Sequence, residues 1–190
     1  MRKIILSVIL ITILVLSVFS IYFQSEATAL GAHVVALKLD TGDTAWMIVA
    51  SALVLIMTPG LGFFYGGMVG KKNVISTMLQ SFMAMVIVTV LWVLVGFGLC
   101  FGPSVGGIIG DPSSNFMFNG VNSTTAWELA PTIPFILFAF FQAKFAIITP
   151  ALITGAFAER VRFWAYLLFM VLFVLFIYSP LCHMTWHPDG

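Results

Sequence analysis

Charge is the scarcest property of this sequence. Of its 190 residues only 8% are charged, whereas 61% are hydrophobic. A mean hydropathy of +1.12 excludes a water-soluble globular surface. No basic run is longer than a pair such as Lys71-Lys72, so the chain lacks the basic patch through which proteins bind nucleic acid. We therefore expect no nucleic-acid partner.

Cysteine is almost as scarce, and catalytic motifs are missing. Cys100 and Cys182 lie in apolar stretches without the CxxC or Cys/His spacing of a metal site. We expect them to be small buried hydrophobic residues. Both lie near the same predicted face of the membrane, so a disulfide between them is the alternative. No metal site and no cofactor is predicted. Paired carboxylates, a nucleophile elbow, a P-loop and HExxH are also lacking, so we expect no enzyme activity.

The sequence contains instead four long apolar blocks. A bilayer core of roughly 30 Å takes about 20 helical residues to cross, because lipid leaves free backbone N–H and C=O groups unsatisfied. The blocks therefore predict four transmembrane helices in an all-α polytopic membrane protein. Their expected bounds are about Trp46 to Val69, Val74 to Phe101, Pro131 to Phe157 and Phe163 to Trp186.

The N-terminus has the pattern of a secretory signal. Met1-Arg2-Lys3 precedes an apolar run from Ile4 to Phe23, and Ala27-Thr28-Ala29 has the A-x-A form of a cleavage site. These features predict a signal peptide over 1–29, followed by a membrane domain over 30–190. The apolar run is longer than usual, so an uncleaved signal anchor is the alternative. Either outcome places the next segment, residues 30–45, outside.

Basic residues in the connections predict the orientation. Lys71-Lys72 follow the first block and Arg160 and Arg162 follow the third, whereas the connection 102–130 has no basic residue. The positive-inside rule places the first and third connections in the cytoplasm, as expected for a multi-pass protein of the cell (inner) membrane. Glu159 and the neighbouring arginines are predicted to be an interfacial topology anchor; pairing between Glu159 and the arginines across the turn is the alternative. The 102–130 connection, rich in Gly, Pro, Ser and Asn, is predicted to be an external loop without regular structure.

The third block carries the first candidate site residues. Phe141 and Phe145 are spaced i,i+4 and share a helix face. Such rings either fill space or stabilise a cation while keeping its path dry. Lys144 is unusual, because an ionisable group within a membrane helix is costly and indicates function; snorkelling or pairing with a carboxylate is the alternative. Pointing into a pore, its charge would oppose a permeating cation.

Further candidates lie at the predicted outer end of the fourth block. Tyr178, His183 and Trp186 are close together there. Aromatic residues at this level commonly anchor a helix at the membrane interface. The alternative is a vestibule in which Trp186 faces a small cation and His183 is a hydrogen-bond partner.

Several motifs occur together in a fixed order along about residues 40 to 190. They are Asp43-Thr44-Ala45-Trp46, Met57-Thr58-Pro59-Gly60, Phe64-Tyr65-Gly66-Gly67-Met68-Val69, Lys72-Asn73-Val74, Gln80-Ser81-Phe82, Phe141-Gln142, Phe145-Ala146 and the run from Ile148 to Arg160. In these motifs and their spacing the chain resembles the Amt/MEP/Rh family of ammonium transporters.

The resemblance implies an eleven-helix fold of two inverted halves, of which this chain would be an N-terminal fragment with the first four helices. It also implies a homotrimer with one hydrophobic pore per subunit, and ammonium or methylammonium as the substrate. Phe141 and Phe145 would be the pore gate, Trp186 the wall of an external ammonium site that they share, and Tyr178 its border. The family's paired pore histidines lie beyond this chain and are not assigned.

Lys144 departs from the uncharged residue that the family usually has between the two phenylalanines, and this makes it a candidate pore modulator. The predicted function is ammonium transport, by capture at an external aromatic site and passage through a hydrophobic pore. The alternative is an ammonium sensor of the same fold with little or no conduction. A cytoplasmic regulator or a fused signalling domain is the further expected partner.

Overall fold

Four long helices form the described part of the molecule. The computed structural model describes residues 33–190, so the predicted signal peptide over 1–29 lies outside the described residues. Within the described part, four helices are long and apolar enough to cross a membrane: α1 Thr41–Met68, α2 Val74–Phe101, α3 Phe135–Phe157 and α4 Phe163–Trp186. The prediction of an all-α polytopic membrane fold is confirmed.

The first helix starts earlier than hydropathy indicates. α1 begins at Thr41 rather than at about Trp46. Asp40 is its N-cap, and the Asp40 carboxylate accepts a hydrogen bond of 2.8 Å from the backbone N–H of Asp43. An acidic N-cap satisfies a donor that the first turn would leave unpaired, so polar residues extend the helix outward beyond the apolar block.

The third helix starts later than predicted and is interrupted near its other end. α3 begins at Phe135 rather than at about Pro131. Pro134, at the N-cap, disfavours helical backbone in the residue before it. The helix consists of an α segment over Phe135–Leu152 and a short α segment over Thr154–Phe157, which meet at Ile153. Pro150 lies just before this interruption, where it removes a backbone donor.

The second and fourth helices each contain one π-helical segment. The π segments are Trp92–Gly96 in α2 and Val174–Tyr178 in α4. A π turn accommodates an extra residue, because its hydrogen bonds join residues i and i+5. The Ser179 hydroxyl donates a 2.8 Å hydrogen bond to the Val174 carbonyl and adds a side-chain bond across that turn. Each bulge changes the direction of the side chains beyond it.

Short strands cover one end of the bundle, which we call the outer end. β1 (Val34–Ala36) pairs antiparallel with β4 (Thr125–Trp127), and β2 (Ser104–Val105) pairs with β3 (Ile109–Gly110). A 3-10 turn spans Phe116–Phe118. The prediction that the 102–130 connection lacks regular structure is therefore wrong. β4 finds its partner before α1, and no local sequence signal reports such a distant pairing.

Beneath these strands lies a buried group of rings that we call the core ring cluster. It consists of Trp92, Phe97, Phe101, Trp127, Phe135 and Phe138. The Trp127 ring lies 5.9 Å from Phe135 and 5.6 Å from Phe138, stacked on both. The Trp92 indole N–H donates to the Ala139 carbonyl at 3.1 Å. The outer loop is thus packed into the bundle through Trp127.

One carboxylate joins the two turns at the opposite end. Glu159 Oε1 accepts from the Gly70 backbone N–H at 2.7 Å and from Asn73 Nδ2 at 3.0 Å. The alternative, in which Glu159 pairs with its neighbouring arginines, is not what the structure has. Its left-handed backbone (φ 65°) ends α3, and donors of the first turn satisfy the carboxylate instead. These hydrogen bonds, first that from Asn73 and then that from Gly70, lower the pKa of Glu159.

Candidate functional site

Three of the predicted site residues form one row of rings. The Phe141 and Phe145 rings meet edge to face with centroids 5.0 Å apart, and the Phe145 and Trp186 rings do the same at 6.1 Å. Trp186 is 45% exposed, and both phenylalanines are half-buried. We call these three residues the open aromatic row. The row joins the middle of α3 to the outer end of α4.

The helices explain why these rings meet. Phe141 and Phe145 are one turn apart in α3, so both project from one face. Trp186 is the last residue of α4, beyond the π segment, where no further helical turn covers it. Ring faces left open in this way attract cations through the aromatic quadrupole, over distances of up to about 6 Å. The arrangement suits a small dehydrated cation.

Tyr178 occupies a different level of the fourth helix. It precedes Trp186 by about two turns, or roughly 12 Å along the helix axis. Its ring belongs to the buried core, and its hydroxyl has no hydrogen-bond partner among residues 33–190. The described ring contacts do not bring Tyr178 into the open aromatic row, and its role at the border of a substrate site stays a prediction.

Lys144 contacts a ring outside the open aromatic row. Its Nζ lies 5.0 Å from the centroid of Phe140, one turn earlier in α3, and the side chain is half-buried. The contact is a cation–π interaction. Phe140 and Lys144 project from the helix face adjacent to Phe141 and Phe145, so the charge lies beside the predicted gate. Its role as a pore modulator stays a prediction.

His183 does not face a vestibule. Its Nδ1 is 2.9 Å from the Cys100 carbonyl, and its Nε2 is 2.9 Å from the Ser104 hydroxyl. The side chain is fully buried. Both ring nitrogens therefore have partners within the protein, and the alternative in which His183 contacts a cation beside Trp186 is wrong. The residue joins the end of α4 to the end of α2 and to β2.

An open cavity adjoins the row on the side of the first helix. Its volume is about 350 Å³, and Phe141 contributes to its wall. Polar and aromatic groups that sequence analysis had not assigned to a site also line it, among them Asp43, Trp46 and Gln142. Gln142 Oε1 is buried without a hydrogen-bond partner in the described part of the chain. Phe141 thus belongs both to the open aromatic row and to the wall of this cavity.

A group of titratable residues beside β1 was not predicted. His33 contacts Glu128 through Nδ1 at 2.5 Å and Asp189 through Nε2 at 2.7 Å. The hydrogen bonds to Asp189 and then Glu128 raise the pKa of His33. The His187 ring lies 5.0 Å from that of His33; burial, and then the nearby His183 and His33, lower the pKa of His187 to about 4.

The geometry of this group allows a metal ion. Ligand atoms of His33, His187 and Asp189 lie within 4.8 Å of one another. Sequence analysis predicted no metal site because these residues show no recognisable spacing. His33 precedes β1 and Asp189 follows α4, so only the folded chain brings them together.

Comparisons with known proteins extend the likeness beyond single motifs. A family model described as the Ammonium Transporter Family matches residues 45–190. An ammonium transporter of Mycobacterium tuberculosis is 49% identical, over 80% of this chain and 34% of that protein. The crystal structure of Candida albicans Mep2 matches with a TM-score of 0.71 at 33% identity, over 80% of this chain and 33% of that one.

A further solved structure, described as a sensor Amt protein, matches with a TM-score of 0.67 at 31% identity. It covers 77% of this chain and 35% of that one. The chain spans about a third of the length of the curated relatives it matches.

Proposed function

Because this chain belongs to the ammonium transporter family, we propose that the full-length protein transports ammonium and that the open aromatic row is its outer capture site. The edge-to-face contact between Phe145 and the half-exposed Trp186 carries this proposal. It leaves an aromatic face available where α4 ends. The whole protein is proposed to be a homotrimer in the cell (inner) membrane, with its N-terminus exported.

Capture depends on the cost of dehydration. Ammonium loses water as it enters an apolar site, and contact with the Trp186 ring offsets about 0.5–2 kcal/mol of that cost. The row contains no hydroxyl, carboxylate or amide of its own, so it offers ring faces rather than an anionic trap. Recognition through ring faces favours a weakly hydrated monovalent cation over a strongly hydrated one.

The two phenylalanines are proposed to be the gate. With centroids 5.0 Å apart, the Phe141 and Phe145 rings leave no gap for an ion between them. Passage therefore requires their side chains to rotate apart, and the dry path beneath excludes hydrated ions. Tyr178 is proposed to line the approach from the α4 side, with Phe141, Phe145 and Trp186 in contact with substrate.

The first test is the current that full-length protein produces on an ammonium jump in solid-supported bilayers. We expect current that saturates with ammonium, and Trp186→Ala should raise the half-saturating concentration. Phe176→Ala is the matched control, because Phe176 is another exposed ring of α4 (69% exposed) outside the row. Equal affinities in the native protein and Trp186→Ala would mean that ammonium is captured elsewhere.

A second candidate function is ammonium sensing with little or no conduction. Lys144 supports it, because a cation one residue from Phe145 opposes a cation in transit. The likeness to the sensor Amt protein is compatible with it. A silent native protein together with a conducting Lys144→Thr variant would favour the sensor. A conducting native protein would favour the transporter and leave Lys144 as a modulator. A cytoplasmic regulator or fused signalling domain is the proposed partner of a sensor.

A further inference from the structure

His33 is held between two carboxylates at the outer end. Its Nδ1 contacts Glu128 and its Nε2 contacts Asp189 at 2.7 Å. These residues lie just before β1, in the loop after β4 and just after α4. A histidine with one nitrogen on a carboxylate and the other directed at a second ligand group has the arrangement seen in carboxylate–histidine–zinc triads.

His187 adds an independent observation. The residue is only 5% exposed, and its Nε2 is buried without a hydrogen-bond partner among the described residues. An unpaired buried polar atom is costly and calls for an explanation, such as an ion that is not part of the chain. The ring lies against His33 with centroids 5.0 Å apart, so the residue that carries this orphaned nitrogen belongs to the same cluster.

We propose that His33, His187 and Asp189 form a zinc site on the outer end, with Glu128 holding the His33 ring. Two imidazole nitrogens and one carboxylate oxygen are ligands that Zn²⁺ accepts in tetrahedral sites, where water takes a fourth position. Mg²⁺ and Ca²⁺ prefer oxygen ligands and fit this set poorly. The ligand atoms already lie within 4.8 Å of one another, and a shift of about 1 Å brings them to zinc-binding distances of about 2.0–2.2 Å.

Proton balance is simple at this site. Zn²⁺ takes the place of the proton between His33 Nε2 and Asp189, and that proton is released to water. His33 keeps its other proton on Nδ1, where it is donated to Glu128. At His187 the proton moves from Nε2 to Nδ1, which frees the Nε2 lone pair for Zn²⁺. Because Nδ1 then carries a proton, the 3.1 Å hydrogen bond that it accepts from the Asp189 backbone N–H is lost. The bound ion would tie β1 to the end of α4.

The test is calorimetric titration of Zn²⁺ into chelator-treated, full-length protein in nanodiscs. We expect one saturable site per protomer, which His33→Gln or His187→Gln abolishes. Glu128→Gln should weaken zinc binding about 10- to 100-fold, as is usual for the outer partner of a ligating histidine. Asp43→Asn is the control: it removes an outer-end carboxylate from outside the cluster, and zinc affinity should not change.

Folding is checked separately by far-UV circular dichroism and elution volume, and Co²⁺ in place of Zn²⁺ should give the visible absorption of a tetrahedral site. The conservative Glu128→Gln variant keeps the test valid if a histidine variant fails to fold. Absence of saturable zinc binding in the native protein would overturn the proposal. So would native affinity in both histidine variants. These readouts do not depend on transport, so the zinc site and the transport function fail or stand separately.

Discussion

The core ring cluster and the open aromatic row are built from the same residue types but differ in closure. In the cluster, Trp127 is stacked on two rings and is 2% exposed. In the row, Trp186 has one edge-to-face neighbour among residues 33–190 and is 45% exposed. Neighbouring ring centroids lie 5.1–6.4 Å apart in the cluster and 5.0–6.1 Å apart in the row. Aromatic content therefore does not distinguish structure from function here. A ring that its neighbours bury stabilises the fold, and a ring with an exposed face remains available to a cation.

The largest expected effect comes from a substitution that disrupts the core ring cluster. Trp127→Ala removes the stacked contacts with Phe135 and Phe138, and a buried Trp→Ala change typically costs about 3–5 kcal/mol of stability. Thermal unfolding of the full-length protein, followed by loss of its monodisperse elution, measures the effect. Trp186→Ala should shift the unfolding temperature far less. Similar shifts in the two variants would remove the distinction between the two groups.

The next largest effect concerns the affinity of the open aromatic row for substrate. Trp186→Ala loses a cation–π contact of about 0.5–2 kcal/mol, which corresponds to roughly a 2- to 30-fold weaker apparent affinity for ammonium. Trp186→Phe keeps a ring and should lie between the native protein and the alanine variant. Concentration dependence of methylammonium uptake gives the values. An order in which Trp186→Phe is weakest would argue against recognition by a ring face.

A smaller change is expected where charge adjoins the open row. Lys144→Thr removes a cation next to the proposed gate, and a change of about 1 kcal/mol in the barrier for a passing cation corresponds to roughly fivefold faster uptake. Lys144→Arg is the matched control, since it retains the charge and can still contact Phe140. Uptake by the native protein and the two variants, measured at equal surface expression, tests this prediction. Identical uptake in all three proteins would exclude an electrostatic role for Lys144.

The smallest effect is expected far from both ring groups, at Glu159. Because hydrogen bonds from Asn73 and Gly70 lower its folded-state pKa, its contribution to stability is present above its unfolded-state pKa and is lost as the pH falls through the folded-state pKa. Glu159→Gln should therefore lower the unfolding temperature slightly at neutral pH and not at all in acid. Asp43→Asn, which removes a carboxylate at the other end of the bundle, is the control variant for the change in unfolding temperature. A difference that grows in acid would contradict the assignment.

Sequence alone predicted the four helices because crossing a bilayer imposes a long local pattern of apolar residues. It also predicted that Phe141 and Phe145 share a helix face, because residues four apart lie about one turn apart in an α-helix. The meeting of Phe145 with Trp186 depended on the family resemblance, because the two residues lie on different helices.

The rest could not be read from local patterns. His33 and Asp189 stand at opposite ends of the described chain, and β1 pairs with a strand that two helices separate from it. Proximity in sequence offers only the neighbouring arginines as partners of Glu159. In the structure its partners come from the turn after α1. Proline and capping effects moved the starts of α1 and α3, where hydropathy has no information.

The π segment of α4 determines the direction in which the outer part of this helix presents its side chains. If the same residues formed a regular α-helix through Val174–Tyr178, every side chain beyond the segment would turn by about 100° relative to the first half of the helix. Trp186 would then point away from Phe145, while Tyr166 and Met170 kept their positions in the core. The extra residue that the bulge accommodates therefore determines where the outer end of this helix presents its side chains, and the inner end does not depend on it.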